Sequence, residues 1–203
     1  MRRSELLKRL EAVEGFPDPD PRREQVITPS EAAADLLLSA EARDDLVDRV
    51  VADLGAGTGR LAIGAALLGA RRVLAAEEDP RALAVALRNA ERAGVTIEAV
   101  AGPVDRFDTV VDTVVMNPPF GAQRRGADRP FWAAALRCAR RRTYAFALAE
   151  SRTFIARSCV ERTVPIAETR PIRWTLPLTF RHHRKPRVAL AVDLWVLGPV
   201  PTP

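Results

Sequence analysis

The chain has 203 residues, 47% hydrophobic and 28% charged, which suits one globular domain with a real core and excludes a disordered or fibrous class. Its net charge of +5 leans towards a polyanionic partner, although an Arg-rich proteome alone would give the same balance. Cys138 and Cys159 are too few and too far apart for a disulfide scaffold or a zinc motif, and no signal-type or membrane-length apolar run occurs, so buried free thiols, no resident metal and an intracellular, cytoplasmic protein are expected.

In chain order, Leu6, Leu7, Leu10 and Val13 recur at helical spacing and predict an amphipathic helix over 2–14. Phe16-Pro17-Asp18-Pro19-Asp20-Pro21 is an extended proline-rich link. Arg23-Glu24-Gln25-Val26-Ile27-Thr28-Pro29-Ser30 then leads into a helix through Leu38, with Thr28 or Ser30 as its cap and Pro29 near its first turn. Gln25 and Thr28 fit two readings: plain turn and cap chemistry, or a lid over a small molecule.

Arg49–Leu54 reads as a strand, Gly55-Ala56-Gly57-Thr58-Gly59 as a glycine turn, and Arg60–Leu68 as the start of a helix. Glycines let the backbone approach a ligand, so strand, turn and helix make a nucleotide-type site. A dinucleotide fingerprint needs a further glycine where Arg60 stands, and the Gly-Lys-Ser/Thr of a P-loop is missing. The next strand, Arg72–Ala76, ends in Glu77-Glu78-Asp79. A carboxylate there can accept both hydroxyls of a ribose, the role favoured for Glu77. The alternative is a solvated acidic turn; Glu78 and Asp79 are read as surface and as cap of a helix over Pro80–Ala93.

Val95–Val100 is expected as the third strand, and the β-branched run Thr109–Met116 as the fourth, buried in a parallel sheet. Asn117-Pro118-Pro119-Phe120 follows, and two prolines cannot continue a ladder. The residue before a proline is held extended, so the Asn117 side chain and the next carbonyl project in a fixed direction from the strand end. Open α/β sheets bind ligands at that end. An amide, a rigid carbonyl and a ring suit the capture of a flat base carrying an amino group.

Gly121–Asp128 is a glycine-bounded basic loop containing Arg124 and Arg125. A helix to Arg142 is expected next, with Phe131, Trp132, Ala135, Leu136 and Ala139 facing inward, then a fifth strand over Thr143–Leu148. Ser151 is expected to cap a further helix. Thr163–Ile166 and Val188–Trp195 are expected as a hairpin-like edge with one antiparallel member. Their connection carries Arg181, His182, His183, Arg184, Lys185 and Arg187. It is either a solvated charge run or, beside Arg124, Arg125 and Arg129, a phosphate-binding rim, and the rim is favoured. The two histidines lack partner ligands for a metal. Alternating strands and helices predict a doubly wound α/β domain over 1–203, with a helix and proline-rich link over 1–22 and the core over 23–203.

The glycine turn, Glu77 and the tetrapeptide together resemble the class I S-adenosylmethionine-dependent amino-methyltransferases. That resemblance implies a Rossmann-like seven-stranded sheet with helices on both faces and S-adenosylmethionine as cofactor, held around Asp53, Gly55, Gly57, Thr58, Gly59 and Glu77. Asn117 and Pro118 would accept the two N–H bonds of an exocyclic amine, Pro119 would hold the turn, and Phe120 would stack on the base. Such a site needs no strong general base before transfer; positioning supplies much of the acceleration.

A closer resemblance runs from Glu24 to Val196, through Glu24-Gln25-x-x-Thr28, Asp53-Leu54-Gly55, Arg88-Asn89-Ala90, Met116–Gly121, Leu176-Pro177, His183 and Val192-Asp193-Leu194. These stretches are similar to the methyltransferase-like protein five family with its archaeal relatives, which methylate an adenine amino group in small-subunit ribosomal RNA. The resemblance implies cofactor contacts at Gln25, Thr28, Gly55, Thr58 and Glu77, and a heterodimer with a small zinc-binding activator protein. RNA contacts are expected at Arg124, Arg125, Arg181, His183, Arg184 and Lys185. The chain departs from the family where an acid should follow the third strand, where Val26 replaces an aromatic, and where Ala149-Glu150 replaces a His-Lys pair. In place of that acid, backbone groups or Asp105 are the candidates for the adenine contact. In the expected strand order the third strand is an edge, a template for a partner. The same tetrapeptide also serves enzymes acting on a protein glutamine amide or on DNA adenine. A non-catalytic RNA-binding assembly factor is the remaining alternative.

Overall fold

A computed structural model describes residues 1–174 and 190–199. Helices α1 (Arg3–Glu11) and α2 (Ser30–Glu41) precede strand β1 (Val50–Leu54). Helix α3 (Arg60–Leu67), β2 (Arg72–Glu77), α4 (Pro80–Ala93), β3 (Glu98–Ala101) and β4 (Val111–Met116) follow. Then come α5 (Arg129–Cys138), β5 (Ala139–Leu148), α6 (Arg152–Glu161), β6 (Ile166–Ile172) and β7 (Val192–Leu197). Among the described residues the sheet has seven strands, in the order β3-β2-β1-β4-β5-β7-β6. All pairings are parallel except those of β7, which is antiparallel to both neighbours. This is the class I methyltransferase architecture expected, including the single antiparallel member near the far edge.

Alternate residues of each central strand enter opposite cores, because successive side chains point to opposite faces. Val51, Val73, Val115 and Phe146 meet α1 to α4, while Ala52, Leu74, Val114 and Ala145 meet α5 and α6. Helix α1 is no loose appendage. Leu6 and Leu10 are wholly buried beside Leu37 and Ile63. The approach is close enough that a Cβ on Gly64 would stand 2.2 Å from Leu37 Cδ1. Cys138 and Cys159 are free and buried, and burial pushes both thiols up. Among the described residues, no helix is long and apolar enough to cross a membrane.

Several expected boundaries move. The helix expected to reach Arg142 stops at Cys138, and Ala139–Arg142 extends β5 instead. Ala and Arg favour helix locally, but Ala139 and Arg142 pair with Val111 and Thr113 across a bulge, and tertiary pairing overrides propensity. The strand expected over Thr163–Ile166 lies later, at β6, and includes Pro171, which only an edge strand tolerates. Strand β7 begins at Val192, with Leu190 and Ala191 outside it, while Val188 and Ala189 of the expected strand lie outside the described residues. Thr28, Ser30 and Ser151 make no side-chain capping bond. Asp79 caps α4 as expected, accepting from Arg81 N, and is buried, while Glu78 is exposed.

Candidate active site

The strand order reverses between β1 and β4, and a cleft of about 410 Å³ opens at the carboxyl ends of those strands, as expected at a switch point. Asp53, Gly55, Gly57, Thr58, Glu77, Asn117 and Pro119 line it. Gln25 and Thr28 line it from the N-terminal side. Gly102, Pro103, Val104 and Asp105 complete the wall beyond β3. There the missing acid leaves backbone groups and Asp105 as the available polar contacts.

The glycine turn is built by backbone geometry. Gly55, Gly57 and Gly59 all have positive φ. Gly55 N and Ala56 N donate to Ala76 O at 2.9 and 3.0 Å, pinning the turn to β2. A Cβ on Gly55 would stand 2.8 Å from the Phe131 ring, and one on Gly57 2.8 Å from the Phe16 ring. Two aromatic rings therefore cover the turn, which no spacing rule foretold.

Asp53 is 1% exposed, and its Oδ2 accepts from Ala62 N at 2.9 Å in the first turns of α3. Its Oδ1 has no partner among the described residues. Burial, eased by the Ala62 bond and aggravated by Glu77, pushes its carboxyl up to about 7. Glu77 accepts from Gly57 N at 2.8 Å and Asp79 N at 2.9 Å, one bond to each oxygen. Burial raises its pKa against those two bonds. Each Glu77 oxygen keeps a second lone pair, the capacity that two ribose hydroxyls require.

At the end of β4, Asn117 Nδ2 donates to Thr28 Oγ1 at 3.0 Å. That bond orients the amide, leaving Oδ1 buried and without a partner among the described residues. An orphaned buried acceptor is uncommon and calls for a missing donor. Phe120 is half-buried, its ring centroid 5.4 Å from that of Trp174, and it is not part of the cleft wall. Arg124 and Arg125 are exposed, with Arg124 at the cleft. Arg129 turns away instead, its guanidinium 5.2 Å above the Phe154 ring. Arg181, His182, His183, Arg184, Lys185 and Arg187 lie outside the described residues, so the expected rim is built here only as far as Arg124 and Arg125.

The N-terminal segment is tied over the cleft by Gln25, expected as part of a lid, and by two groups that sequence reasoning passed over, Arg60 and Asn89. Arg60, noted only as a missing glycine, is buried and donates to Thr28 O at 2.6 Å and Val13 O at 3.1 Å. Desolvation lowers its pKa to about 10, so it stays charged at neutral pH. Asn89 accepts from Glu14 N and donates to Glu14 O and Thr58 O. Gln25 accepts from Asp20 N at 2.8 Å and donates to Asp79 Oδ2 at 2.8 Å, so its amide braces the lid. The rarity of side-chain amides was the available signal. The chain has only Gln25, Asn89, Asn117 and Gln123, and the first three hold this segment to the core.

Residues 30–142 match the family described as the methyltransferase small domain. The chain is 32% identical over 200 residues to the zebrafish protein named rRNA N(6)-adenosine-methyltransferase METTL5, covering 95% of this chain and 97% of that one. The Drosophila melanogaster protein named rRNA N(6)-adenosine-methyltransferase Mettl5 is 29% identical over 92% of this chain and 91% of its own length. Among solved structures, a proposed RNA methyltransferase from Pyrococcus horikoshii superposes with a TM-score of 0.89 at 38% identity, covering 97% of each chain.

Proposed function

The chain belongs to the family of rRNA N(6)-adenosine-methyltransferases and carries the methyltransferase small domain, and from that premise we propose how it works. It transfers the methyl group of S-adenosylmethionine to the exocyclic amine of an adenine in small-subunit ribosomal RNA. The observation that carries the reading is Asn117 Oδ1, a buried acceptor without a partner at the mouth of a cleft walled by a glycine turn and a strand-end carboxylate.

The residues present fit the cofactor. A cleft of about 410 Å³ is in the range of small-molecule sites. The glycines leave the backbone open to it, Asp53 Oδ1 is an unpaired buried acceptor, and Glu77 has lone pairs to spare. When bound, S-adenosylmethionine supplies an electrophilic methyl group on a sulfonium. Asn117 Oδ1 and the Pro118 carbonyl accept the two N–H bonds of the adenine amine, whose lone pair is otherwise delocalised into the ring. Drawing both hydrogens to one side pushes the nitrogen towards tetrahedral geometry and aims its lone pair along the cleft. Methyl transfer to that nitrogen would leave the cofactor as its neutral thioether, S-adenosylhomocysteine. The two fixed acceptors would stabilise the positive charge developing on the nitrogen, and its surplus proton would pass to solvent water. Phe120, braced by Trp174, offers the accessible part of its ring to the extruded base.

Arg124 and Arg125 are positioned to take flanking phosphates, and Arg181, His183, Arg184 and Lys185 are assigned to the same task on charge alone. The partner is a small zinc-binding activator protein. Its support here is the edge strand β3, where Glu98, Ala99 and Ala101 are exposed and one side of the ladder is unpaired.

One experiment tests these statements together. Labelled methyl transfer onto unmethylated small-subunit RNA is measured over a salt series, for the chain alone and co-expressed with the activator, and the methylated base is mapped. Transfer to an adenine N6, improved by the partner and weakened by salt, is expected. Label on protein or DNA, or none at all, would sink the reading; a fully active lone chain would remove the partner.

A further inference from the structure

The loop after the tetrapeptide is held by a carboxylate far away in sequence. Glu24 Oε2 accepts from Phe120 N at 2.7 Å and from Gly121 N at 3.1 Å, and Oε1 accepts from Gln123 N at 2.9 Å. Strand β4 has ended at Met116, so these N–H groups have no ladder partner and need an acceptor from elsewhere. A carboxylate forms the stronger, charge-assisted kind of hydrogen bond to backbone N–H. Glu24 itself sits at φ 51°, a left-handed conformation that a long side chain adopts uncommonly and only when its surroundings impose it.

Its neighbours explain what imposes it. Arg23 reaches Glu78 Oε1 at 2.6 Å, Gln25 reaches Asp79, and Thr28 receives the Asn117 amide. The segment thus crosses from the exit of β2 to the exit of β4, and Glu24 is its contact with the backbone that carries Phe120.

We propose that Glu24 is a positioning residue for methyl transfer. By fixing the Phe120–Gln123 backbone, its carboxylate sets the angle at which the Pro118 carbonyl and the Phe120 ring meet the target base. Glu24 also lines the cleft, but both of its oxygens are engaged by these backbone donors, so its part is to position the loop and not to act on the reacting nitrogen. This inference rests on the base-capturing reading of the tetrapeptide given above.

The test compares the unmutated chain with Glu24→Gln and Glu24→Gly. Glutamine keeps the shape but turns an N–H towards a backbone N–H; glycine suits the positive φ and removes the acceptor, so backbone strain is not what is measured. Both are assayed for kcat on the RNA and for S-adenosylhomocysteine affinity, with amide spectra of Phe120, Gly121 and Gln123. The kcat should fall roughly 100-fold in Glu24→Gly and less in Glu24→Gln, the scale of an ångström-sized misplacement. Cofactor affinity should hold within about twofold, since no charge-assisted bond to the cofactor is lost. The three amide signals should move upfield. An unmutated chain that transfers nothing to the RNA overturns the functional reading and this inference with it. An active unmutated chain matched by an equally active Glu24→Gly overturns this inference alone. Cofactor affinity falling in step with kcat, or a Glu24→Gln chain that does not fold, gives Glu24 a merely structural role and also overturns it.

Discussion

At the amino-terminal end of the sheet, Asp45 is wholly buried and accepts from Arg141 Nε at 2.9 Å, Arg142 Nη1 at 3.0 Å and Tyr144 Oη at 2.7 Å. At the opposite end Asp53 is as deeply buried, yet among the described residues it accepts only from Ala62 N and keeps one oxygen unpaired, and Asn117 Oδ1, in the wall of the same cleft, is orphaned. A buried carboxylate with two cations and a hydroxyl is the arrangement that protein interiors require of charge. Buried acceptors without donors are a cost that persists where a ligand completes the bonding. The Asp45 carboxylate has both oxygens bonded by the fold, although Arg142 Nε beside it lacks a partner, whereas at the other end it is acceptors that are left open for chemistry.

Three substitutions sharpen or break that contrast. Asp45→Ala should have the largest effect, removing the shared partner of two arginines and a tyrosine. A loss of about 3–5 kcal/mol is expected, seen as a fall in melting temperature of roughly 10 °C. Transfer per folded molecule should survive; a stable but inactive Asp45→Ala would place this end in the catalytic machinery. Asn117→Ala should do the reverse. Loss of one preorganised acceptor should reduce transfer by about 10²–10³-fold, with melting temperature and cofactor affinity nearly unchanged. Retention of half the activity would remove Asn117 from its role.

Asp53→Asn should have the smallest effect and the opposite sign on stability. The folded carboxyl lies near 7 against an ordinary 3.8, so the folded state holds its proton longer than the unfolded chain does. Its contribution is most favourable below about pH 4, declines as pH rises towards 7, and is constant above. Asparagine can still accept from Ala62 N but has no proton to lose. The unliganded variant should therefore gain roughly 1–3 kcal/mol at pH 8 and almost nothing at pH 4. Melting curves at the two pH values check this, and an equal shift at both would show that ionisation is not the cause.

Much of this site was legible before the fold was known. The glycine turn, the acid at Glu77 and the exit at Asn117 rest on local rules: positive φ at glycine, a carboxylate at a strand end, and proline refusing a ladder. The methyl-transfer reading followed from those stretches and from resemblance, and the family relationship bears it out. Gln25 and Thr28 were placed near the cleft, but their side chains are engaged with Asp20, Asp79 and Asn117. Arg60 was noted for the glycine it replaces and not for the two carbonyls it ties down. Glu24 was seen only as part of a shared stretch.

By itself, then, the sequence determined the alternation of elements, the buried parallel strand of β4 and the amide at its end, because periodicity, glycine and proline act within a few residues. Tertiary structure decided that the first helix belongs to the core and that residues 14–28 fold back over the glycine turn. It also decided that the Glu24 carboxylate closes on backbone 96 to 99 positions away. Contacts of that span have no signature in residue spacing. They exist because packing α1 and α2 against α3 carries the intervening link across the open end of the sheet, and the donors waiting there select an acceptor.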